Sequence, residues 1–436
     1  IAQLPLDAIS QSGVNQPQEL ESQLKQLQAA GVQGIIGDVW WGLTEPEPGV
    51  YNFTAYQQLA NLITEAGLQW QPIMSFHSCG GNVGDACNIP LPNFVTEVAQ
   101  SHDIWYTDAQ GHQDTEYISL FVDNEPLFPP SSRTPVGMYK DFMAAFDAAF
   151  QHIDISLVEV SMGPAGELRY PAYQLSQWKF CGVGEFQASS SYALSALASA
   201  AAAAGHPEWG HGPPDNAGTY NSRPSDTGFF SASGFDNYDS QYGKFFMGWY
   251  SQLLVEHGKS VLTAAKSALS FPIAGVRPGA FPMLSCISFS HAPLLSQKVA
   301  GVHWWRNDPS RAAEATAGYD QTTSDTYTGI ASMMASVDAG MVFTCLEMQD
   351  SEQPASCDCG PFELVQETKA AAEAAGIPFS GENALPRYDT TAYNTIEAQA
   401  SNPSIAGFGY LRLSSTLLSS SNFGAFSQFV GKMNSL

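Results

Sequence analysis

Apolar positions along the chain switch between two periods. In "ELESQLKQLQAAG", Leu20, Leu24 and Leu27 recur three to four residues apart, which predicts a helix closed by Gly31. "QGIIGDVWWG" follows as a short apolar run of strand character. Tyr56, Leu59, Ile63 and Ala66 then mark one face of a second helix, ended by Gly67, and "LQWQPIMSFH" is the next strand. Carried to the end of the chain, this rhythm gives eight strands. They are "AQLPLDA" near residue 5, "GIIGDVW" ending near 40, "QPIMSFH" ending at 77, "LVEVSMG" ending at 163, "KVAGVHWW" ending at 305, "MVFTCLEM" ending at 348, "IPFSGENAL" ending at 385 and "IAGFGYLRL" ending at 413. Strands that alternate with helices imply a parallel sheet under helical cover. Eight of them suit a closed α/β barrel, the (β/α)8 TIM barrel, with long loops on its C-terminal face. An open doubly wound sheet is the alternative, but no GxGxxG follows an early strand.

The middle of the chain is less regular. "YALSALASAAAAAG" (192–205) has helical propensity and stops at Gly205 and Pro207. Residues 206–237 are rich in Gly, Pro, Asn, Asp and Ser and read as a long loop excursion. A helix resumes with "FFMGWYSQLLVEHGKSVLTAAKSALS", and residues 278–297 form a second excursion. No internal repeat and no releasing linker is apparent, so residues 1–436 are expected to form one catalytic domain.

Composition narrows the partners. The 42 acidic residues against 17 basic ones give a net charge of −25, a field that repels nucleic acid and anionic lipid. No apolar run approaches the roughly 20 residues of a membrane helix. Aromatic residues make up 12% of the chain, which suits either a buried aromatic core or a sugar-stacking cleft. Seven cysteines leave at least one unpaired within the chain. Cys79 and Cys87 flank a glycine-rich loop and could close it as a disulfide. Cys357 and Cys359, in "SCDCG", could be paired or could be metal ligands, but no cluster with zinc spacing lies nearby. The chain starts at Ile1, as after removal of a signal peptide or after trimming, and Asn52 in "NFT" is a glycosylation sequon. Together these features lead to an expectation of secretion.

Polar and aromatic residues gather at the predicted strand ends. Asp38 precedes Trp40 and Trp41; His77 closes the third strand; Glu167 and Arg169 follow the fourth. His303, Trp304 and Trp305 end the fifth, Thr344 and Glu347 lie on the sixth, Glu382 and Asn383 on the seventh and Arg412 on the eighth. Singly, each has an ordinary structural role: a cap, a packed histidine, an ion pair between Glu167 and Arg169. In a barrel they converge on one face, where active sites sit. The chemistry suggested is glycoside hydrolysis, which needs one carboxylic acid to protonate the leaving oxygen and a second to activate water or attack. It demands no metal or redox cofactor. No GxSxG elbow supports an esterase.

The segments "DVWWG", "SFHSCGGNVGD", "VDNEPLF", "GPAGELRYP", "AAGHPEW", "GVHWW", "FTCLEM", "SGENALPRYD" and "LRLS" occur in one order that resembles the β-amylase family, glycoside hydrolase family 14, and its plant-type branch in particular. The resemblance implies a (β/α)8 barrel that releases β-maltose from the non-reducing ends of α-1,4-glucans with inversion. Its partners would be starch, amylose and maltooligosaccharides, and it would act as a monomer. Glu167 would be the general acid and Glu382 the general base, their carboxyls roughly 6.5–9.5 Å apart to admit a water. Their environments would hold Glu167 protonated and Glu382 ionised. By the same resemblance Asp38 and His77 would bind the terminal glucose, and Asp85 would lie on a glycine-rich lid. Lys298 and His303 would contact the glucose on the leaving-group side. Thr344 would help hold the base or the water, Asn383, Ala384 and Arg412 would surround the base, and Leu385 would pack on the glucan. Cys345 would be a free thiol with a packing role.

The chain departs from the family pattern at Gly37, at residues 278–297, at Arg306 and at the lid-bracketing Cys79 and Cys87. The expected disulfide would restrict the lid. Arg306 would alter the leaving-group-side subsites. Nothing after Leu413 resembles a starch-binding module, so raw granules are expected to be poor substrates. A catalytically silent glucan-binding or sensing protein on the same barrel is the competing reading.

Overall fold

A computed structural model describes residues 1–82, 84–155, 157–270, 294–401 and 403–436. Among them, eight strands form one parallel sheet in the order β1 (Ala2–Gln3), β2 (Gly34–Trp40), β3 (Gln69–Ser75), β4 (Leu157–Val160), β5 (Leu294–Val299), β6 (Ala339–Phe343), β7 (Phe379–Glu382) and β8 (Gly407–Gly409). The sheet closes on itself: Gln3 N–H donates to Tyr410 O at 3.0 Å and Tyr410 N–H to Ile1 O at 2.9 Å. Outside it lie α1 (Pro17–Ala29), α2 (Thr54–Glu65), α3 (Pro135–Phe150), α4 (Gln241–Ala268), α5 (Thr326–Ser336), α6 (Pro361–Ala375), α7 (Thr390–Ser401) and α8 (Ser420–Met433). One helix follows each strand, so the expected (β/α)8 barrel is the observed fold.

The helical stripes do what their spacing implies. Leu20, Leu24 and Leu27 of α1 and Tyr56, Leu59 and Ile63 of α2 are buried against the sheet. Between α2, α3 and β3, Phe53, Trp70, Phe142, Phe146 and Phe150 pack mostly edge to face at ring separations of 5.3–5.8 Å. Each such ring contributes about 1.5–3 kcal/mol by burial. The departure at Gly37 has a local reason: a Cβ there would meet Leu4 and the Trp70 indole at 3.4 Å each. The bulky Trp70 on β3 occupies the room that an apolar residue at 37 would take.

Two boundaries differ from expectation. The fifth strand begins at Leu294, four residues before its predicted start, and ends at Val299. Ser296, Gln297 and Lys298 broke the apolar pattern although they lie on the strand: Lys298 meets Glu382 at 2.5 Å, and Gln297 is fully buried, its Nε2 donating to Gly166 O at 3.2 Å. The expected excursion 278–297 therefore loses its last four residues to β5, and the rest lies outside the described residues. The excursion 206–237 is a loop with two short 3₁₀ turns, Pro207–His211 and Pro224–Asp226. The helix expected over 192–205 is observed as Ser191–Ala203 and precedes it.

Candidate active site

The loop after β4 is built around two glycines. At Gly163 a Cβ would lie 2.4 Å from Glu167 O and 2.8 Å from Arg169 O, so the turn folds back on itself too closely for any side chain. Gly166 has φ +77°, which favours glycine, and sits over the His77 ring. The turn is tied to the barrel by Leu168 N–H donating to Lys298 O at 2.9 Å. From the far side, His257 on α4 bonds Asp123 at 2.6 Å and reaches Met162 O at 3.1 Å. Asp123, in "VDNEPLF", thus supports the loop from behind.

This folding buries Glu167 with Arg169, whose Nε donates to Glu167 Oε2 at 2.6 Å. The Arg169 guanidinium also lies 4.2 Å from the Tyr173 ring centroid. The predicted ion pair therefore exists beside the acid. Glu382, the last residue of β7, is buried and paired with Lys298 of β5 at 2.5 Å. Burial pushes the Glu382 pKa up, and Lys298 opposes the shift without reversing it. Lys298 is thus the group that favours the ionised form expected of a base, and burial works against it. Burial works against the Lys298 ammonium, but Glu382 first, then Glu167 and Glu159, outweigh it and hold it charged.

The remaining expected residues surround this pair. Asp38 accepts from Ser75 Oγ at 2.8 Å and Gln3 Nε2 at 3.4 Å; burial raises its pKa against the fields of Arg412 and Lys298. His77 Nδ1 meets Ser161 Oγ at 2.9 Å, and burial, with Lys298 and Arg169 nearby, lowers its pKa to about 3. His303 is buried between Phe180 and Trp304, and burial lowers its pKa to about 4. Both imidazoles are therefore neutral at pH 7, as sugar ligands would be. Thr344 is buried just beyond β6.

Asn383 spends its amide on backbone: Nδ2 donates to Leu411 O at 2.6 Å, and Oδ1 accepts from Leu411 N at 2.8 Å. The N–H groups of Ala384 and Leu385 donate to Glu347 at 3.0 and 2.8 Å, while the Leu385 side chain remains 43% exposed at the mouth. Asp85 is less central. Its Oδ2 accepts from the amides of Gly80, Gly81 and Asn82 at 2.9–3.0 Å, within its own loop.

Arg306 turns away from the cleft and pairs with Glu363 and Glu367 of α6 at 2.8 and 3.1 Å. The altered subsite expected there is not built from its side chain. Cys79 and Cys87 are bonded as expected. Cys357 is bonded to Cys181, which the sequence did not suggest, and Cys345 and Cys359 are free and buried. The metal alternative for "SCDCG" thus gives way to a disulfide.

Sequence reasoning missed Glu159. It sits on β4 opposite Ser296, wholly inside the barrel, and burial with Glu382 nearby raises its pKa to about 8. An acid within the apolar run "LVEV" was the available signal. Glu116 and Asn82, which meet beside the acid loop, gave none.

A barrel whose strand ends converge on two buried carboxyls, neutral imidazoles and exposed apolar rim residues defines a glycosidase of the TIM-barrel class. Comparison with known proteins takes this one step further: the chain belongs to glycosyl hydrolase family 14, whose pattern matches residues 1–436. It is an enzyme of the β-amylase family. It is 45% identical to beta-amylase 1, chloroplastic, of Oryza sativa subsp. japonica, over 99% of this chain and 79% of the relative. It is 44% identical to the beta-amylase of Glycine max, over 99% and 86%. The crystal structure of the catalytic domain of beta-amylase from Paenibacillus polymyxa superposes with TM-score 0.77 at 29% identity, over 99% of this chain and 97% of that one. The expectation of secretion is overturned by these matches, since three of the relatives are chloroplastic by name.

Proposed function

We propose that the protein hydrolyses α-1,4 linkages of starch and maltooligosaccharides from their non-reducing ends and releases β-maltose with inversion. The observation that carries this reading is the pair of buried carboxyls from the β4 loop and the end of β7, Glu382 held by Lys298 at 2.5 Å and the loop of Glu167 tied to the same strand by Leu168 N–H donating to Lys298 O at 2.9 Å. Arg169 engages Glu167 Oε2, so Oε1 is the oxygen that delivers a proton to the glycosidic oxygen. On the opposite face, a water oxygen adds to the anomeric carbon as the bond to the leaving glucose breaks, and its proton passes to Glu382. Lys298 favours the carboxylate form of Glu382 that this step requires. Asp38 and His77 would receive the terminal sugar, Lys298 and His303 the leaving one, and Asn383, Ala384 and Arg412 would surround the base. Thr344 would steady the water. Asp85 keeps Oδ1 for a sugar hydroxyl while its loop amides hold Oδ2. Leu385 offers an apolar face to the glucan. The chloroplastic relatives point to a plastid location for this chain as well.

The test is NMR of the product during the first minutes of digestion of a long linear glucan by nanomolar protein. β-Maltose as the sole early product is expected. Early α-maltose, a ladder of longer oligomers, or no release at all would each overturn the reading, the last in favour of a silent glucan binder.

A further inference from the structure

Glu116 lies on the long connection between β3 and α3, away from every barrel strand, yet it is buried. Its carbonyl accepts from Ser78 N at 2.8 Å, just after His77. Its side chain does something less ordinary: one oxygen, Oε1, accepts from Asn82 Nδ2 at 2.5 Å and from Ala165 N at 2.6 Å. Asn82 belongs to the glycine-rich loop that carries Asp85; Ala165 is two residues before Glu167. Asn82 in turn accepts from Arg169 Nη2 through Oδ1 at 3.1 Å, and Arg169 Nε holds Glu167. Two connected routes thus run from a single carboxyl oxygen to Glu167, one through Ala165 and one through Asn82 and Arg169.

The Ala165 route carries strain. Ala165 is a non-glycine residue at φ 54°, in the left-handed region that an L-residue adopts only against steric strain. The bond from its N–H to Glu116 opposes relaxation of that turn. Glu116 itself stands among charges: Asp114 accepts from its N–H at 3.0 Å, and Arg169 acts on it from the acid side. A connection that served only to pass from strand to helix would have no need to bury a carboxyl beside an aspartate. A group that must fix a strained turn and an arginine together has such a need.

We propose that Glu116 is a positioning residue for the general acid: one of its oxygens fastens the lid loop at Asn82 to the acid turn at Ala165, so that the placement of the lid sets the aim of Glu167. This rests on Glu167 being the acid, as argued above.

The test compares maltopentaose, whose leaving oxygen must be protonated, with α-maltosyl fluoride, whose fluoride departs as an anion and needs only the base. Glu167→Gln should lower kcat on maltopentaose by about 10²–10⁴-fold, the range for a general acid, and spare the fluoride. Glu116→Ala should show the same split at smaller size. Its expected kcat loss is about 10–100-fold on maltopentaose, with KM within about twofold and the fluoride within about threefold of the parent. Glu116→Gln keeps the accepting oxygen and should restore most of the maltopentaose rate. Should Glu116→Ala not fold, Asn82→Ala, in an accessible loop, removes one of the two routes and should show the split in weaker form. Equal losses on both substrates for Glu116→Ala or Asn82→Ala, with Glu167→Gln split, overturn the proposal and leave the acid assignment standing. Equal losses for Glu167→Gln remove the acid assignment and the proposal with it.

Discussion

Glu382 sits where burial resists its charge and Lys298, at 2.5 Å, supplies most of what opposes that resistance. The balance has a consequence for pH. A general base works only when ionised, so the acidic limb of kcat follows its pKa. Lys298→Met removes the nearest opposing charge and should move that limb to higher pH, with kcat at pH 5 falling more than kcat at pH 8. A pH–rate profile for the two proteins checks this; parallel profiles would mean Lys298 only contacts sugar. At this scale much was readable in advance. Glu167, Glu382, Lys298 and the two histidines stand within a few residues of strand ends, and a barrel collects strand ends. What could not be read was the partner of each. Asn383 uses its amide on Leu411, and Asp85 uses one oxygen on its own loop, because side chains near irregular backbone are drawn to unpaired amides and carbonyls.

Elements were legible where one period dominated. α1 and α2 declare themselves by leucine and tyrosine stripes, and β2 by a continuous apolar run. β5 did not, since the polar Ser296, Gln297 and Lys298 interrupt its apolar run. The β4 loop depends on a glycine no periodicity rule addresses. Gly163→Ala would set a methyl 2.4 Å from Glu167 O, so the turn must open. The expected outcome is at least about a hundredfold loss of kcat, comparable to removing a preorganised catalytic group. Far-ultraviolet circular dichroism should be unchanged, because the barrel strands are not touched. Parental turnover in that variant would show that the acid tolerates a displaced loop.

For the molecule as a whole, two kinds of long-range constraint set stability. The disulfide Cys181–Cys357 spans 176 residues and Cys79–Cys87 only 8. On chain entropy the first is worth about 5 kcal/mol and the second about 2.5 kcal/mol. Cys181→Ser with Cys357→Ser should therefore lower Tm more than the corresponding pair at 79 and 87, as scanning calorimetry would show. The second constraint is buried charge. Glu116 and Glu159 have pKa values raised from 4.5 to about 8 by burial, so between those values the native state binds more protons than the unfolded one. Stability contributed by these groups is present below their unfolded pKa and is lost as pH rises toward 8. His77 and His303, lowered to about 3 and about 4, act on the other side: their contribution is lost as pH falls below the unfolded value of 6.5. Melting temperature should pass through a maximum near pH 5–6, roughly where the two effects cross, and Glu159→Gln should flatten its alkaline side. A Tm that keeps climbing to pH 8 would contradict the burial of these acids.

By itself the sequence determined the eight strands and their order, the faces that α1 and α2 hide, and which residues stand near the strand ends. Those follow from local periodicity and from closure of eight parallel strands. Only the tertiary structure decided which charges share a site, that Cys181 meets Cys357 across 176 residues, and that an acid at 116 grips both Asn82 and Ala165. Such pairings depend on distances between segments far apart in the chain, and no local pattern of apolar and polar residues encodes a distance of that kind.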